Sequence, residues 1–260
     1  MKFLLTNDDG IAAPGLSALA EELAKLGEVL VVAPEQERSG SGHAFTRHAP
    51  LRLRRFHRDG RFFGYATTGT PADSVKMGLF LAARQVDWVI SGINRGGNLG
   101  VDLFYSGTVS GAIEGAIDGF PAIAFSLATR EYRYPGEPRF ADAAVIAREL
   151  LGELLSYRST LSRLCLNVNI PNLPREQITG ITLTAQALQR YEDEFAVGED
   201  PFGEPYYWLS GGAVDEDHRE DSDLAAIRAG QITITPIRID LTDRELLKEM
   251  ERWELRLSRR

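Results

Sequence analysis

The chain has 260 residues, 43% of them hydrophobic, which suits one large globular domain. Its formal net charge is −8 at pH 7, and basic residues form only short runs, at residues 52–58 and 256–260. We therefore expect neither nucleic acid nor a membrane among its partners. The N-terminus shows no signal peptide and Cys165 is the only cysteine, so we expect a cytoplasmic protein without internal disulfides.

The start of the chain contains the first candidate site. Residues 3–5 form a short apolar run that predicts a buried strand, and Asn7, Asp8, Asp9 and Gly10 follow at its end. Open α/β sheets bind their ligands beyond the carboxyl ends of the strands. Two adjacent carboxylates at such a place bind a cation or remain solvated, and these residue types also favour an ordinary turn. Residues 1–10 alone leave both interpretations open.

The elements that follow predict an α/β fold. Leucines spaced by three and four over residues 16–26 predict a helix between the first two strands, which makes a βαβ unit. Asp59-Gly60 predicts a β-hairpin inserted beside the sheet, and Thr70-Pro71 begins another helix. Apolar runs predict strands at residues 3–5, 29–33, 88–90, 121–125 and 164–170. We expect a Rossmann-like, three-layer fold, with a parallel sheet and helices on both of its faces.

Two further polar loops follow strands at the same edge of the predicted sheet. One contains Ser39, and the other contains Asn94, four residues past Ile90. Because loops after parallel strands converge at the carboxyl edge, their oxygen atoms should meet those of Asp8 and Asp9. Carboxylate, amide and hydroxyl oxygens suit a hard cation. We therefore predict one divalent cation, Mg²⁺ or Mn²⁺, in each subunit.

A candidate anion site lies close to these loops in the predicted fold. Ser106, Gly107 and Thr108 begin a predicted helix, where N–H groups, the helix dipole and hydroxyls together suit a phosphate group. The hydroxyls also suit simple helix capping. A hard cation beside a phosphate site indicates hydrolysis of a phosphate monoester by an activated water. Asp8 or Asp9 is the candidate acceptor of the water's proton.

Two other chemistries are less favoured. An aspartyl-phosphate intermediate usually needs an acid two residues after the nucleophile, where Gly10 and Ile11 stand. Gly40 and Gly42 suggest part of a dinucleotide-binding fingerprint, but Phe45 occupies the position of its third glycine.

Nine short motifs resemble the SurE family, the stationary-phase survival nucleotidases. They are NDDG at 7–10, AP at 33–34, RSG at 38–40, GTP at 69–71, SGIN at 91–94, NLG at 98–100, YSGTV at 105–109, ITP at 234–236 and DLT at 240–242. The resemblance implies a divalent-metal-dependent phosphatase of nucleoside 5′- and 3′-monophosphates, sometimes also of short polyphosphate, that forms dimers or tetramers. It implies metal ligands at Asp8, Asp9, Ser39 and Asn94, phosphate contacts at Ser106, Gly107 and Thr108, and catalytic roles for Asp8, Asp9 and Asn94. A non-catalytic nucleotide sensor and a purely structural oligomer are the alternatives of other classes.

The last third of the chain departs most from these patterns. We expect a single domain over residues 1–260 in which residues 182–221, aromatic and acidic without a clear period, form an extended arm or hairpin region. Residues 222–260 predict a strand and a final helix. That helix carries an apolar stripe of Leu246, Leu247, Met250, Trp253 and Leu257. An apolar terminal helix needs a partner surface, on its own domain or on a second copy. We predict an obligate homodimer or homotetramer.

Overall fold

The computed structural model of the chain describes residues 1–129, 134–160, 164–214, 217 and 219–253. The strands are β1 (Lys2–Thr6), β2 (Glu28–Pro34), β3 (Leu53–Arg58), β4 (Arg61–Thr67), β5 (Trp88–Arg95), β6 (Ala122–Ala128), β7 (Cys165–Pro171), β8 (Gly180–Leu183), β9 (Arg190–Glu192), β10 (Phe195–Glu199), β11 (Pro205–Leu209), β12 (Gly212–Val214) and β13 (Gln231–Pro236). The α-helices are α1 (Pro14–Leu23), α2 (Pro71–Leu81), α3 (Gly107–Ile117), α4 (Phe140–Leu154), α5 (Asp223–Arg228) and α6 (Arg244–Met250).

Nine strands form one sheet in the order β3-β4-β2-β1-β5-β6-β7-β13-β8. The six strands from β4 to β7 in this order are parallel, whereas β3 is antiparallel to β4, and β13 is antiparallel to β7. The α/β fold class is therefore confirmed, with a sheet that is mostly parallel. β1 lies near the centre of the sheet, which places its carboxyl end between those of β2 and β5.

The hairpin predicted at Asp59-Gly60 is β3–β4, and the positive φ angles of the two turn residues, 50° and 74°, suit a tight hairpin turn. It does not lie beside the sheet as an insertion. Instead, β4 pairs in parallel with β2 and so extends the main sheet at one edge. The turn signal is local and identifies the hairpin, but it contains no information on the third strand with which the hairpin pairs.

Helices cover both faces of the sheet. Helices α1 and α4 pack on one face, in a core that includes Phe3 and Leu5, and α2 and α3 pack on the other, in a core that includes Leu4. These three side chains of β1 are fully buried and alternate between the faces, as a strand requires. Burial of each contributes roughly 1.5–3 kcal/mol. The core thus holds β1, and with it the turn that follows, firmly in place.

The C-terminal part of the chain extends from this core. Residues 182–221 begin in β8 of the main sheet and continue into two small antiparallel sheets, β9 with β12 and β10 with β11. Helix α6 begins after Asp243, whose carboxylate accepts hydrogen bonds from two backbone N–H groups of its first turn. Leu257, in the predicted apolar stripe, lies outside the described residues. Within the described part of the chain, no helix is long and apolar enough to cross a membrane.

Candidate active site

The carboxyl ends of β1, β2 and β5 bring the predicted ligand residues to one edge of the sheet. β1 pairs in parallel with both neighbours, and Thr6 lies opposite Ser91 in the register. A cleft of about 540 Å³ opens at this edge. The residues that line it are Asp9, Ala13, Pro14, Glu37, Ser39, Arg95, Glu137, Pro138 and Phe140.

Asp8 is held against the start of α3. Asp8 is only 4% exposed, and the Thr108 hydroxyl donates a hydrogen bond to Asp8 Oδ1. A Cβ atom at Gly107 would lie 2.8 Å from Asp8 Cβ and 3.0 Å from Asp8 Oδ2, closer than normal contact allows. Glycine at this position therefore permits α3 to begin directly beside the carboxylate. Burial raises the pKa of the Asp8 carboxyl, and the hydrogen bond from Thr108 offsets part of this effect.

Asp9 lies beside Asp8 and faces the cleft. Burial, reinforced by the negative charge of Asp8, raises the pKa of the Asp9 carboxyl from 3.8 to about 7. The backbone N–H of Arg95 donates to Asp9 Oδ2 at 3.2 Å. Among the residues that the structure describes, no cationic side chain forms an ion pair within 4.0 Å with either aspartate. Burial thus disfavours the ionised form of both carboxyls. Because a bound cation would offset this cost, the pair suits a metal site.

Asn94 lies within β5, which continues beyond the predicted strand end at Ile90 through Arg95. The sequence interpretation that placed Asn94 in a loop is therefore wrong. The register of β5 with β6 shifts between Ser91 and Asn94. At Gly92 the φ angle is +128°, and a Cβ atom there would lie 2.2 Å from the Phe125 carbonyl oxygen. The Asn94 amide nitrogen donates to the Gly96 carbonyl at 2.9 Å, which leaves the amide oxygen available to a ligand.

Ser39 lines the same cleft as Asp9 and is exposed. Its hydroxyl donates to Glu37 Oε1 at 2.7 Å, so the oxygen keeps its lone pairs for another partner. The loop is fastened to the aspartate turn, because the Arg38 N–H donates to the Asp8 carbonyl oxygen at 2.8 Å. Sequence reasoning missed Glu37, although its position between the end of β2 and Ser39 was a usable signal.

The predicted ligand atoms are all oxygens, which suit a hard cation better than His nitrogen or Cys sulfur ligands would. In the described residues, no three His, Cys, Asp or Glu side chains form a group that could hold a metal ion. A cation at this edge would therefore depend on the mixed set of two carboxylates, one amide oxygen and one hydroxyl from Asp8, Asp9, Asn94 and Ser39. Oxygen sets of this kind are typical of Mg²⁺ and Mn²⁺, which also retain water.

The start of α3 offers donors to an anion. The Ser106 hydroxyl caps the helix by accepting a hydrogen bond from the Val109 N–H at 3.0 Å, so the capping interpretation is correct for this residue. The Gly107 N–H has no acceptor among the described residues, whereas the Thr108 N–H donates to the Asp8 carboxylate. Both residues lie next to Asp8 at the helix N-terminus, a position that suits a phosphate oxygen.

A second buried carboxylate, which sequence reasoning missed, fastens the Ser39 loop to α3. Glu114 is 4% exposed, and its Oε2 lies 2.7 Å from His43 Nε2, while Lys76 donates to its other oxygen. Burial opposes ionisation of Glu114, but the hydrogen bonds from His43 and Lys76 outweigh it and hold the carboxyl pKa below its usual range. His43 follows Ser39 by four residues, so this contact restricts the loop that carries the hydroxyl ligand.

The fold and the position of the site place the chain among doubly wound α/β proteins that bind a ligand at the carboxyl edge of the sheet. Comparison with known proteins identifies the family. The family described as "Survival protein SurE" matches residues 3–193. The chain belongs to the SurE family, as its motifs predicted.

Relatives and a solved structure match over nearly the full length. The chain is 42% identical to "5'-nucleotidase SurE" of Petrotoga mobilis, over 97% of this chain and 99% of that protein. It is 46% identical to the protein of the same name from Syntrophus aciditrophicus, over 93% and 90%. The crystal structure of the SurE protein from Aquifex aeolicus superposes with a TM-score of 0.81 at 39% identity, covering 96% of this chain and 98% of that one.

Proposed function

We propose that this protein is a divalent-metal-dependent 5′-nucleotidase that hydrolyses nucleoside 5′-monophosphates to a nucleoside and phosphate. The main support is one juxtaposition: two carboxyls, both with raised pKa values and with no ion-pair partner among the described residues, lie beside the N-terminus of α3, where the Gly107 N–H has no acceptor in the described part of the chain. A cation and a phosphate group satisfy these two requirements together. The names of the SurE relatives support the same activity.

One set of residues would bind the cation, and another set would bind the phosphate group. Asp8, Asp9, Ser39 and Asn94 are the ligands we assign to Mg²⁺ or Mn²⁺. When bound, the metal polarises a phosphoryl oxygen and lowers the pKa of a water. The start of α3, with the Gly107 N–H and the adjacent Thr108, would donate hydrogen bonds to phosphoryl oxygens and stabilise the charge that develops on them.

The two aspartates are not equivalent in this scheme. Asp8 is almost fully buried and accepts the Thr108 hydrogen bond, which holds its carboxylate in one orientation. Asp9 is more exposed and faces the cleft. We therefore assign Asp9 as the acceptor of the proton from the attacking water. As the bond from the water oxygen to phosphorus forms, the bond from phosphorus to the nucleoside oxygen breaks, and that oxygen takes up a proton from solvent in the cleft that Asp9 lines.

The test is phosphate release from a panel of nucleoside 5′- and 3′-monophosphates and short polyphosphate, with and without chelator. We propose that the 5′-monophosphates are the main substrates and that the 3′-monophosphates and polyphosphate are also hydrolysed. Chelation should abolish turnover, and Mg²⁺ or Mn²⁺ should restore it. Full turnover in excess chelator would refute metal dependence. Nucleotide binding without any phosphate release would indicate a sensor instead.

A pair of variants separates the site from the general effect of charge. Asp9→Asn should lose Mn²⁺ binding, measured by electron paramagnetic resonance, and should lose activity while the fold is retained. Glu176→Gln removes a carboxylate from an exposed position, and it should keep both properties. Equal Mn²⁺ affinity in the two variants would remove Asp9 from the ligand set.

We further propose that the protein is a cytoplasmic homodimer or homotetramer assembled through its C-terminal third. Exposed apolar side chains on β10 and β11 include Val197, Tyr207 and Trp208, and α6 exposes Leu246 and Leu247. Large exposed patches of this kind are typical of interaction surfaces. Light scattering on a sizing column, with the full chain and with a chain ending at Asp240, tests the proposal. A monomeric full chain at micromolar concentration would refute it.

A further inference from the structure

Arg95 ends strand β5 at the mouth of the candidate site. Its backbone N–H donates to Asp9 Oδ2, and the residue is exposed and lines the cleft of about 540 Å³ together with Asp9, Glu37 and Ser39. Within the described part of the chain, no oxygen accepts a hydrogen bond from its guanidinium group and no carboxylate forms an ion pair with it. The side chain is thus a cation of a cleft-lining residue, close enough for its charge to act on Asp9, and its donors have no acceptor in the described part of the chain.

The charges around the cleft require such a cation when an anionic substrate binds. Asp8, Asp9 and Glu37 are close enough to influence one another, because the charge of Glu37 acts on both aspartates. A divalent cation would neutralise two of these three carboxylates. A phosphate monoester then adds up to two negative charges. The partial positive charge of a helix N-terminus, about half a unit, balances only a fraction of this excess.

We propose that the Arg95 guanidinium binds a non-bridging oxygen of the substrate phosphate. The inference rests on the proposed function, because that function makes the phosphate a substrate group. The start of α3 contacts Asp8, whereas Arg95 adjoins Asp9. Both sets of donors thus adjoin the carboxylate pair, and a phosphate group bound beside that pair would lie near both of them. The planar fork of arginine suits two phosphate oxygens at once, which a lysine ammonium cannot reproduce.

The experiment measures phosphate affinity directly. Isothermal titration of inorganic phosphate into the full chain at saturating Mg²⁺ compares Arg95→Met, Arg95→Lys and the unchanged protein. A charge-assisted hydrogen bond predicts a loss of roughly 10- to 100-fold in phosphate affinity for Arg95→Met. Arg95→Lys should recover part of this loss, because it keeps the charge without the fork. Arg52→Met, at an exposed arginine before β3, removes the same charge and should leave the affinity within about twofold of the unchanged protein.

Two further measurements separate the possible roles of Arg95. The affinity for Mn²⁺ should stay within a few-fold in Arg95→Met, whereas kcat/KM for a nucleoside monophosphate should fall in parallel with phosphate affinity. A loss of Mn²⁺ affinity with unchanged phosphate affinity would mean that Arg95 acts only on Asp9, and it would overturn the proposal. So would an unchanged phosphate titration, or a loss equal to that of Arg52→Met. If the unchanged protein binds phosphate but hydrolyses no nucleotide, the proposed function fails, and the titrations still decide the role of Arg95.

Discussion

A methyl group at position 107 tests how closely α3 must approach the carboxylate pair. The Cβ atom of Gly107→Ala would lie 2.8 Å from Asp8 Cβ, whereas ordinary contact begins at 3.4 Å. Asp8 or the start of the helix must therefore move by the difference between these distances, about 0.6 Å. Asp8 cannot move freely, because it is buried and its carboxylate accepts the Thr108 hydrogen bond. The displacement should disturb both the metal ligands and the phosphate donors.

The expected effect is large on activity and small on stability. Overpacking costs roughly 1–3 kcal/mol, and alanine in place of glycine in a helix returns up to about 1 kcal/mol. We therefore expect Gly107→Ala to lower the free energy of unfolding by no more than about 3 kcal/mol, and by about 2 kcal/mol or less where the full helical gain is realised. A misplacement approaching 1 Å at a catalytic centre costs on the order of 100-fold in rate. We expect kcat/KM for a nucleoside monophosphate to fall by about that factor.

Gly152→Ala is the matched control. Gly152 lies in α4, and no heavy atom lies within 4 Å of the position its Cβ would take. This change should stabilise the protein by about 0.5–1 kcal/mol and leave activity unaltered. Urea titrations with chelator present give the stabilities, and phosphate release gives kcat/KM. If Gly107→Ala is as active and as stable as Gly152→Ala, the close approach of α3 to Asp8 has no functional importance.

Two further predictions concern buried charge. Glu114→Gln should lower the free energy of unfolding by about 1–2 kcal/mol, since His43 and Lys76 lose a charged partner but are themselves partly exposed. The control Glu28→Gln, in an exposed ion pair, should lower it by less than about 0.5 kcal/mol. Equal urea midpoints for the two variants would contradict this prediction. The raised pKa of Asp9 means that, between about pH 4 and pH 7, the native state keeps a proton that the unfolded chain has lost, so stability of the chelated protein should fall as pH rises across this range. Thermal melts from about pH 5 to pH 8 should show this fall, and Asp9→Asn should remove part of it, because the buried Asp8 carboxyl, whose pKa is also raised, contributes to the same fall; an undiminished fall in the variant would exclude Asp9 as a cause.

Hydrophobic periodicity was sufficient to predict the central elements of the fold. The apolar runs that became β1, β2, β6 and β7 were recognisable because a buried parallel strand presents apolar side chains to both faces. The same reasoning ended β5 at Ile90, five residues early. Polarity marks where side chains leave the core, whereas a strand ends where its backbone hydrogen bonds end. Gly92, which has no side chain, and Asn94, whose side chain is polar, both continue the strand.

The candidate ligands were recognisable, but the contacts that hold them were not. Asp8, Asp9 and Asn94 follow apolar runs at a sheet edge, which is a local pattern. The pairing of His43 with Glu114 joins residues 71 positions apart, and a glutamate within a helix ordinarily faces solvent. Arg95 was likewise indistinguishable from any other exposed arginine. The role we propose for it depends on the absence of a side-chain partner among the described residues and on three neighbouring carboxylates, and both are tertiary properties.

The same burial that shapes the site links its affinity for metal to the stability of the protein. Asp8 and Asp9 are placed so that ionisation of both is unfavourable while no cation is bound. Part of the free energy of folding that the core around β1 contributes is therefore offset by the burial of the two carboxyls in the turn that follows it. A ligand that binds only the native state stabilises that state by an amount that rises with the logarithm of its concentration relative to the dissociation constant. A bound cation favours the ionised form of both carboxyls, and so metal binding should release protons from the pair and should weaken as pH falls through their raised pKa values.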